Sequence, residues 1–190
     1  MIIAIDPGSE VSAYVVFDTQ TKLPIDADIL PNNDLLNMLI YQPEYQPTAM
    51  FVEMIASYGM PVGATVFDTC VWIGRFIQAW QGPYRKVFRK DVKMYLCGAT
   101  RAKDANIRQA LMDMYGGSRE AAIGKKKSPG PLYGFKADMW AALGVAVTAA
   151  GVDPTPCPAI QESESNNVTT HCRLHVTAFT TNQRGNNDGK

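Results

Sequence analysis

Met1-Ile2-Ile3-Ala4-Ile5-Asp6-Pro7-Gly8 opens the chain with an apolar run that ends on an acid, a proline and a glycine. The run is too short for a secretory leader and has no basic start, so it reads as a buried strand meeting its turn. Asp6 then stands where the strand leaves the core. A buried carboxylate that lacks its partner costs about 3–5 kcal/mol. The position therefore calls for a cation, a set of donors or open water. The plain alternative is a turn cap for Pro7–Gly8, and the octapeptide alone leaves both open.

Outward from that strand, Val11–Phe17 and Ile25–Leu30 are the next strand-like runs. The first two are separated only by Pro7-Gly8-Ser9-Glu10, which predicts a hairpin and antiparallel pairing. Asn32-Asn33-Asp34 is a candidate cap for a helix through about Tyr41, with Leu35, Leu36, Leu39 and Ile40 on one face. Thr48–Glu53 reads as a strand, Val66–Trp80 as an apolar-faced helix and Tyr84–Phe88 as a fifth strand. Two basic helices follow, Arg89–Cys97 closed by Gly98 and Arg101–Tyr115 closed by Gly116–Gly117. Lys125-Lys126-Lys127-Ser128-Pro129-Gly130-Pro131 is a loop by composition, and Phe135–Ala150 an Ala-rich core helix. A meander followed by strand–helix–strand predicts an α/β fold with a mixed five-stranded sheet flanked by helices. Residues 1–150 form the expected domain, and 151–190, rich in Pro, Asn, Thr, Ser and Gln, an expected tail of low order.

The placement of Asp6 repeats. Glu53 ends the strand beginning at Thr48, and Asp138 lies near the start of the last core helix. Taken singly, Glu53 is a strand-end charge and Asp138 a first-turn carboxylate favoured by the helix dipole. Taken together they form the kind of oxygen-donor set that hard cations such as Mg²⁺ require. Two such ions about 3.5–4 Å apart can activate water and stabilise the leaving oxygen in phosphodiester hydrolysis.

The 190-residue chain has no formal net charge, yet residues 85–136 carry 13 of its 18 Lys and Arg against 4 of its 18 Asp and Glu. Residues 1–84 carry 2 basic residues against 9 acidic ones. An acidic half suited to cations thus precedes a basic half suited to phosphates. Arg89, Lys90, Lys93, Arg101, Lys103, Arg108, Lys125, Lys126, Lys127 and Lys136 are the candidate phosphate contacts of that half. Cys70, Cys97, Cys157 and Cys172 show no paired spacing, and Cys157, His171, Cys172 and His175 fit no common zinc module. Cys70 and Cys97 are expected as buried thiols. Tyr58 and Phe67 read as core aromatics at helical spacing, with stacking on a base the alternative. No apolar stretch of about 18 residues occurs, so the chain reads as a soluble, cytoplasmic protein with no membrane partner.

Ile3-Ala4-Ile5-Asp6-Pro7-Gly8, Phe51-Val52-Glu53, the basic segments Arg89-Lys90-Asp91-Val92-Lys93 and Arg101–Arg108, and Ala137-Asp138-Met139-Trp140-Ala141-Ala142-Leu143 together resemble the RuvC-type Holliday junction resolvases. The resemblance implies that the phosphate contacts above bind DNA, with Lys103 and Lys136 expected nearest the scissile phosphate. The phage and prophage branch is the most similar, and the resemblance covers residues 1 to about 150. It implies an RNase H-like fold, a Mg²⁺-dependent endonuclease (Mn²⁺ as substitute) and a homodimer acting on four-way DNA junctions. Asp6, Glu53 and Asp138 match three acids of that family as catalytic and metal-binding residues. A fourth family acid falls at Ala141, where this chain has none. That departure keeps a second reading open, a branched-DNA-binding protein with a degraded site. The opening hexapeptide is also shared in form by actin-like ATPases, but no second Asp-Gly phosphate loop or adenosine motif accompanies it.

Overall fold

The computed structural model describes residues 1–41, 45–57 and 59–151. Tyr58, Cys157, His171, Cys172, His175 and the expected tail beyond Gly151 lie outside the described residues. Strands β1 (Ile2–Asp6), β2 (Val11–Asp18) and β3 (Leu23–Pro31) form an antiparallel meander. Helix α1 (Asn32–Ile40) then leads to β4 (Met50–Met54), which pairs parallel to β1. Helix α2 (Ala64–Ala79) leads to β5 (Tyr84–Phe88), parallel to β4, and the sheet order is β3-β2-β1-β4-β5. The rest is α3 (Arg89–Cys97), α4 (Asp104–Met114), the single turn α5 (Arg119–Ala122), a two-stranded hairpin β6 (Gly124–Lys125) and β7 (Ser128–Pro129), and α6 (Met139–Gly151). The mixed five-stranded sheet with flanking helices is the architecture that the sequence pattern predicts.

Period-two alternation splits β1 and β4 between two cores. Ile3, Ile5, Met50 and Val52 face α1 and α2, packing with Leu35, Leu39, Ile73 and Phe76. Ile2, Ala4, Phe51 and Val87 face the other way, onto α6 and the α3–α4 pair. Strands β1 and β4 are therefore apolar on both faces, as central parallel strands must be. Helix α6 is buried from Met139 through Ala149, which explains why its sequence is apolar all round rather than amphipathic.

The turn after Asp6 is tied down by buried polar groups. The Gly8 N–H donates to Ser12 Oγ (3.2 Å), Ser12 Oγ–H donates to Asn32 Oδ1 (2.6 Å), and Asn32 Nδ2 donates to Gly8 O (3.0 Å). Ser12 and Asn32 are buried and mutually satisfied, so the network rigidifies rather than destabilises. Gly8 is required here, because a Cβ would collide with the Val11 carbonyl oxygen. Asn32 thus corrects the capping expectation: Pro31 holds the N-cap position with no side-chain bond, and Asn32 serves the turn instead.

Four further expectations change. Helix α4 starts at Asp104, which leaves Arg101 and Lys103 ahead of it, and the Lys103 N–H donates to Asn106 Oδ1 (2.9 Å). The Lys125–Pro131 loop contains a hairpin, closed because Gly124 takes φ +70° and Gly130 packs against the Ala121 and Ala122 carbonyls. Phe67 is exposed rather than core. Cys70 and Cys97 are free thiols, half-buried rather than fully buried.

Candidate active site

The parallel register of β1 and β4 sets the site. Ala4 pairs with Phe51 and Ile5 with Val52, so one further step brings Asp6 beside Glu53. Both side chains follow Ala4 and Phe51 onto the α6 face by alternation. They leave the sheet at the carboxyl ends of adjoining strands, where open α/β sheets hold their ligands. Strand β5 leads to the third member: Val87 pairs with Glu53, and past the strand's end at Phe88, Arg89 opens α3 at the edge of the same site.

Asp6, Glu53 and Arg89 line a cleft of about 220 Å³ with Pro7, Met54, Ile55 and Ala56. Arg89 Nη1 lies 3.1 Å from Glu53 Oε2, and Arg89 Nη2 lies 2.8 Å from Asp104 Oδ1. Burial, together with the Glu53 charge, pushes the Asp6 carboxyl up to about 8, against a pull downward from Arg89. Burial also raises Glu53, opposed by the Arg89 guanidinium and the charge of Lys93. Two half-buried carboxylates side by side are thus short of positive charge, and one arginine supplies part of it.

Asp138 sits at the N-cap of α6 rather than within the helix. Its carbonyl accepts from the N–H groups of Ala141 (2.9 Å) and Ala142 (3.0 Å), and its side chain is exposed. Ala137 before it has φ +39°, a left-handed conformation that L-residues adopt at a cost. The Asp138 charge raises Asp6, more weakly than Glu53 does. Among the described residues, no three acidic, His or Cys side chains stand close enough together to hold one metal ion. The structure therefore brings Asp6 and Glu53 together and leaves Asp138 as a neighbour. Ala141 is buried on α6.

The basic candidates divide. Lys90, Arg101, Lys103, Arg108, Lys125, Lys126, Lys127 and Lys136 are exposed and Lys93 is half-buried. Arg89 is engaged by two acids, so it is part of the site rather than a free phosphate contact. Arg108 lies over the Trp140 ring, 4.6 Å from its centroid. Lys126 and Lys127 form the two-residue tip of the β6–β7 hairpin. Sequence reading missed the roles of Asp104 and Arg89. No local signal marked either, because Arg89 opens α3 just past the end of β5 and Asp104 opens α4.

No protein-family model and no curated protein matches the chain. Among solved structures it is similar to Thermus thermophilus RuvC, at 17% identity and a TM-score of 0.56 over 83% of this chain and 99% of that one. It is also similar to T. thermophilus RuvC in complex with a Holliday junction substrate, at 16% identity and a TM-score of 0.60 over 83% of this chain and 98% of that one. The fold is RuvC-like. No helix among the described residues is long and apolar enough to cross a membrane.

Proposed function

We propose that this RuvC-like protein is a divalent-metal-dependent endonuclease that cleaves four-way junctions or other branched DNA. The observation that carries the reading is the side-by-side placement of Asp6 and Glu53 at adjoining strand ends, under-supplied with positive charge. Their oxygens suit Mg²⁺, with Mn²⁺ as substitute, and the Arg89 guanidinium on Glu53 marks the place as one that takes a cation. Bound there, the ions would activate water and stabilise the leaving oxygen. Asp6 and Glu53 provide the fixed ligands. Asp138, exposed at the start of α6, would complete the set by turning inward, with water and phosphate oxygens supplying further ligands. The exposed basic residues of α3, α4 and the hairpin position the DNA backbone without reading sequence, which suits selection by shape.

The experiment is a synthetic four-way junction incubated with the protein in Mg²⁺ and in chelator. Cleavage only with Mg²⁺ supports the nuclease. Junction binding without cleavage favours the degraded-site reading, for which the missing acid at Ala141 is the specific observation.

Ala141 carries its own test. Ala141→Asp is expected to lower the Mg²⁺ concentration for half-maximal cleavage severalfold, since the added acid lies one turn from Asp138. An unchanged or weaker Mg²⁺ response shows that three acids already complete the site.

The proposed active assembly is a homodimer, because two symmetric cuts in a junction require paired sites. Phe67 and Val71, one turn apart on α2, are each 61% exposed, and Met60 nearby is 67% exposed. Large apolar side chains on one helix face suit a second copy of the chain. Sedimentation at micromolar concentration should give a dimer for the native protein and a monomer for the Phe67→Arg/Val71→Arg double variant. A native monomer, alone and with junction DNA, removes the dimer from the account.

A further inference from the structure

Arg89 joins two acids of unlike setting. The Glu53 side chain is 13% exposed in the cleft, whereas that of Asp104 is 73% exposed at the start of α4. Arg89 itself starts α3, which packs against α4. A guanidinium is a planar fork, so its two ends bond two acceptors at once and either can let go alone. A divalent ion in the cleft needs carboxylate oxygens at about 2.0–2.1 Å, and Glu53 Oε2 already holds a cation. Two cations crowding one half-buried carboxylate repel at short range in a medium far less polarisable than water. One must leave.

Resting on the metal-site reading above, we propose that Arg89 is the resident counter-cation of the acid pair: it holds Glu53 while no metal is bound and passes to Asp104 when metal arrives. The handover breaks only the Nη1 contact, because Nη2 is already on Asp104. Asp104 thus gives the displaced charge a place to go, and that place adjoins the exposed basic residues Arg101, Lys103 and Arg108. A DNA phosphate at this surface draws Arg89 the same way that metal drives it. Metal and DNA therefore favour one position of Arg89, and each tightens binding of the other by the same factor.

Mn²⁺ titration by calorimetry on the full chain tests the inference without DNA or turnover. The proteins are the native form, Arg89→Met, Asp104→Asn and the double variant. Arg89→Met is expected to tighten Mn²⁺ binding by about 5- to 150-fold, the range of a typical coupling. Asp104→Asn should weaken Mn²⁺ binding by about threefold, the worth of an exposed ion pair, and should change nothing in the Arg89→Met background. Unchanged or weaker binding by Arg89→Met overturns the inference and assigns Arg89 to holding β5 and β4 together. An equal effect of Asp104→Asn in both backgrounds also overturns it, since the carboxylate then acts through space alone. Absence of Mn²⁺ binding in all four proteins overturns the metal-site reading and this inference with it. Should Arg89→Met fail to fold, Asp104→Asn at its exposed position still decides: an unchanged Mn²⁺ affinity overturns the handover.

Discussion

Asp6→Asn is expected to abolish junction cleavage and yet to raise the melting temperature of the metal-free protein at pH 8. Loss of cleavage follows from removing a fixed oxygen ligand; metal stabilisation of the transition state is worth several kcal/mol, at least about a thousandfold in rate. The gain in stability follows from the same crowding that makes the site. The Asp6 carboxyl titrates near 3.8 when unfolded and near 8 when folded, driven by burial and by the Glu53 charge. Between those values the native state keeps a proton that the unfolded chain has released, so stability falls as pH rises from about 4 to 8. Each pH unit crossed is worth about 1.4 kcal/mol, and each kcal/mol moves Tm by about 2–4 °C in a chain of this size. Native protein should therefore lose at least about 5 °C between pH 5 and pH 8 in chelator, and Asp6→Asn should lose much less. Added Mg²⁺ should restore the native protein at pH 8 and leave Asp6→Asn unmoved, because only a bound ligand stabilises. A native melting temperature that rises with pH over this range would show that Asp6 is ionised and compensated without metal.

Replacing Lys125, Lys126 and Lys127 together by Gln is the second large effect. These lysines stand on a hairpin whose closure depends on Gly124 and Gly130, so they are presented at a fixed place rather than on a flexible loop. The substitution should weaken binding to linear and branched DNA alike. It should also flatten the slope of log affinity against log salt by up to about 0.9 per lost phosphate contact. Fluorescence anisotropy at several salt concentrations measures both. An unchanged slope assigns the hairpin to solvent.

The strand-end acids were legible because alternation and turn chemistry are local. Ile3-Ala4-Ile5-Asp6 announces a buried strand ending on an acid, and Phe51-Val52-Glu53 repeats the pattern four elements later. Asp138 was legible as a residue but not as a cap, because helix starts are read from periodicity and the positive φ of Ala137 breaks the helix one residue before it. Asn32 looked like a cap because its type and position fit one. Its actual partners, Ser12 and Gly8, lie 20 and 24 residues away. Arg89 and Asp104, 15 residues apart, were hidden for the same reason: an ion pair between the starts of two helices leaves no periodic trace. The Lys125–Pro131 segment has the composition of a loop, and a hairpin this short has too few residues to show alternation.

The central claim is that Asp6, Glu53 and an inward-turned Asp138 hold the divalent ion on which cleavage depends. Crystals soaked in Mn²⁺, read by anomalous scattering, test it most directly. The account predicts a Mn²⁺ peak in the cleft at about 2.0–2.1 Å from oxygens of Asp6 and Glu53, with Asp138 drawn toward it and Arg89 off Glu53. A structure with Mn²⁺ bound elsewhere, or with none at the Asp6–Glu53 pair while Arg89 stays on Glu53, would contradict it.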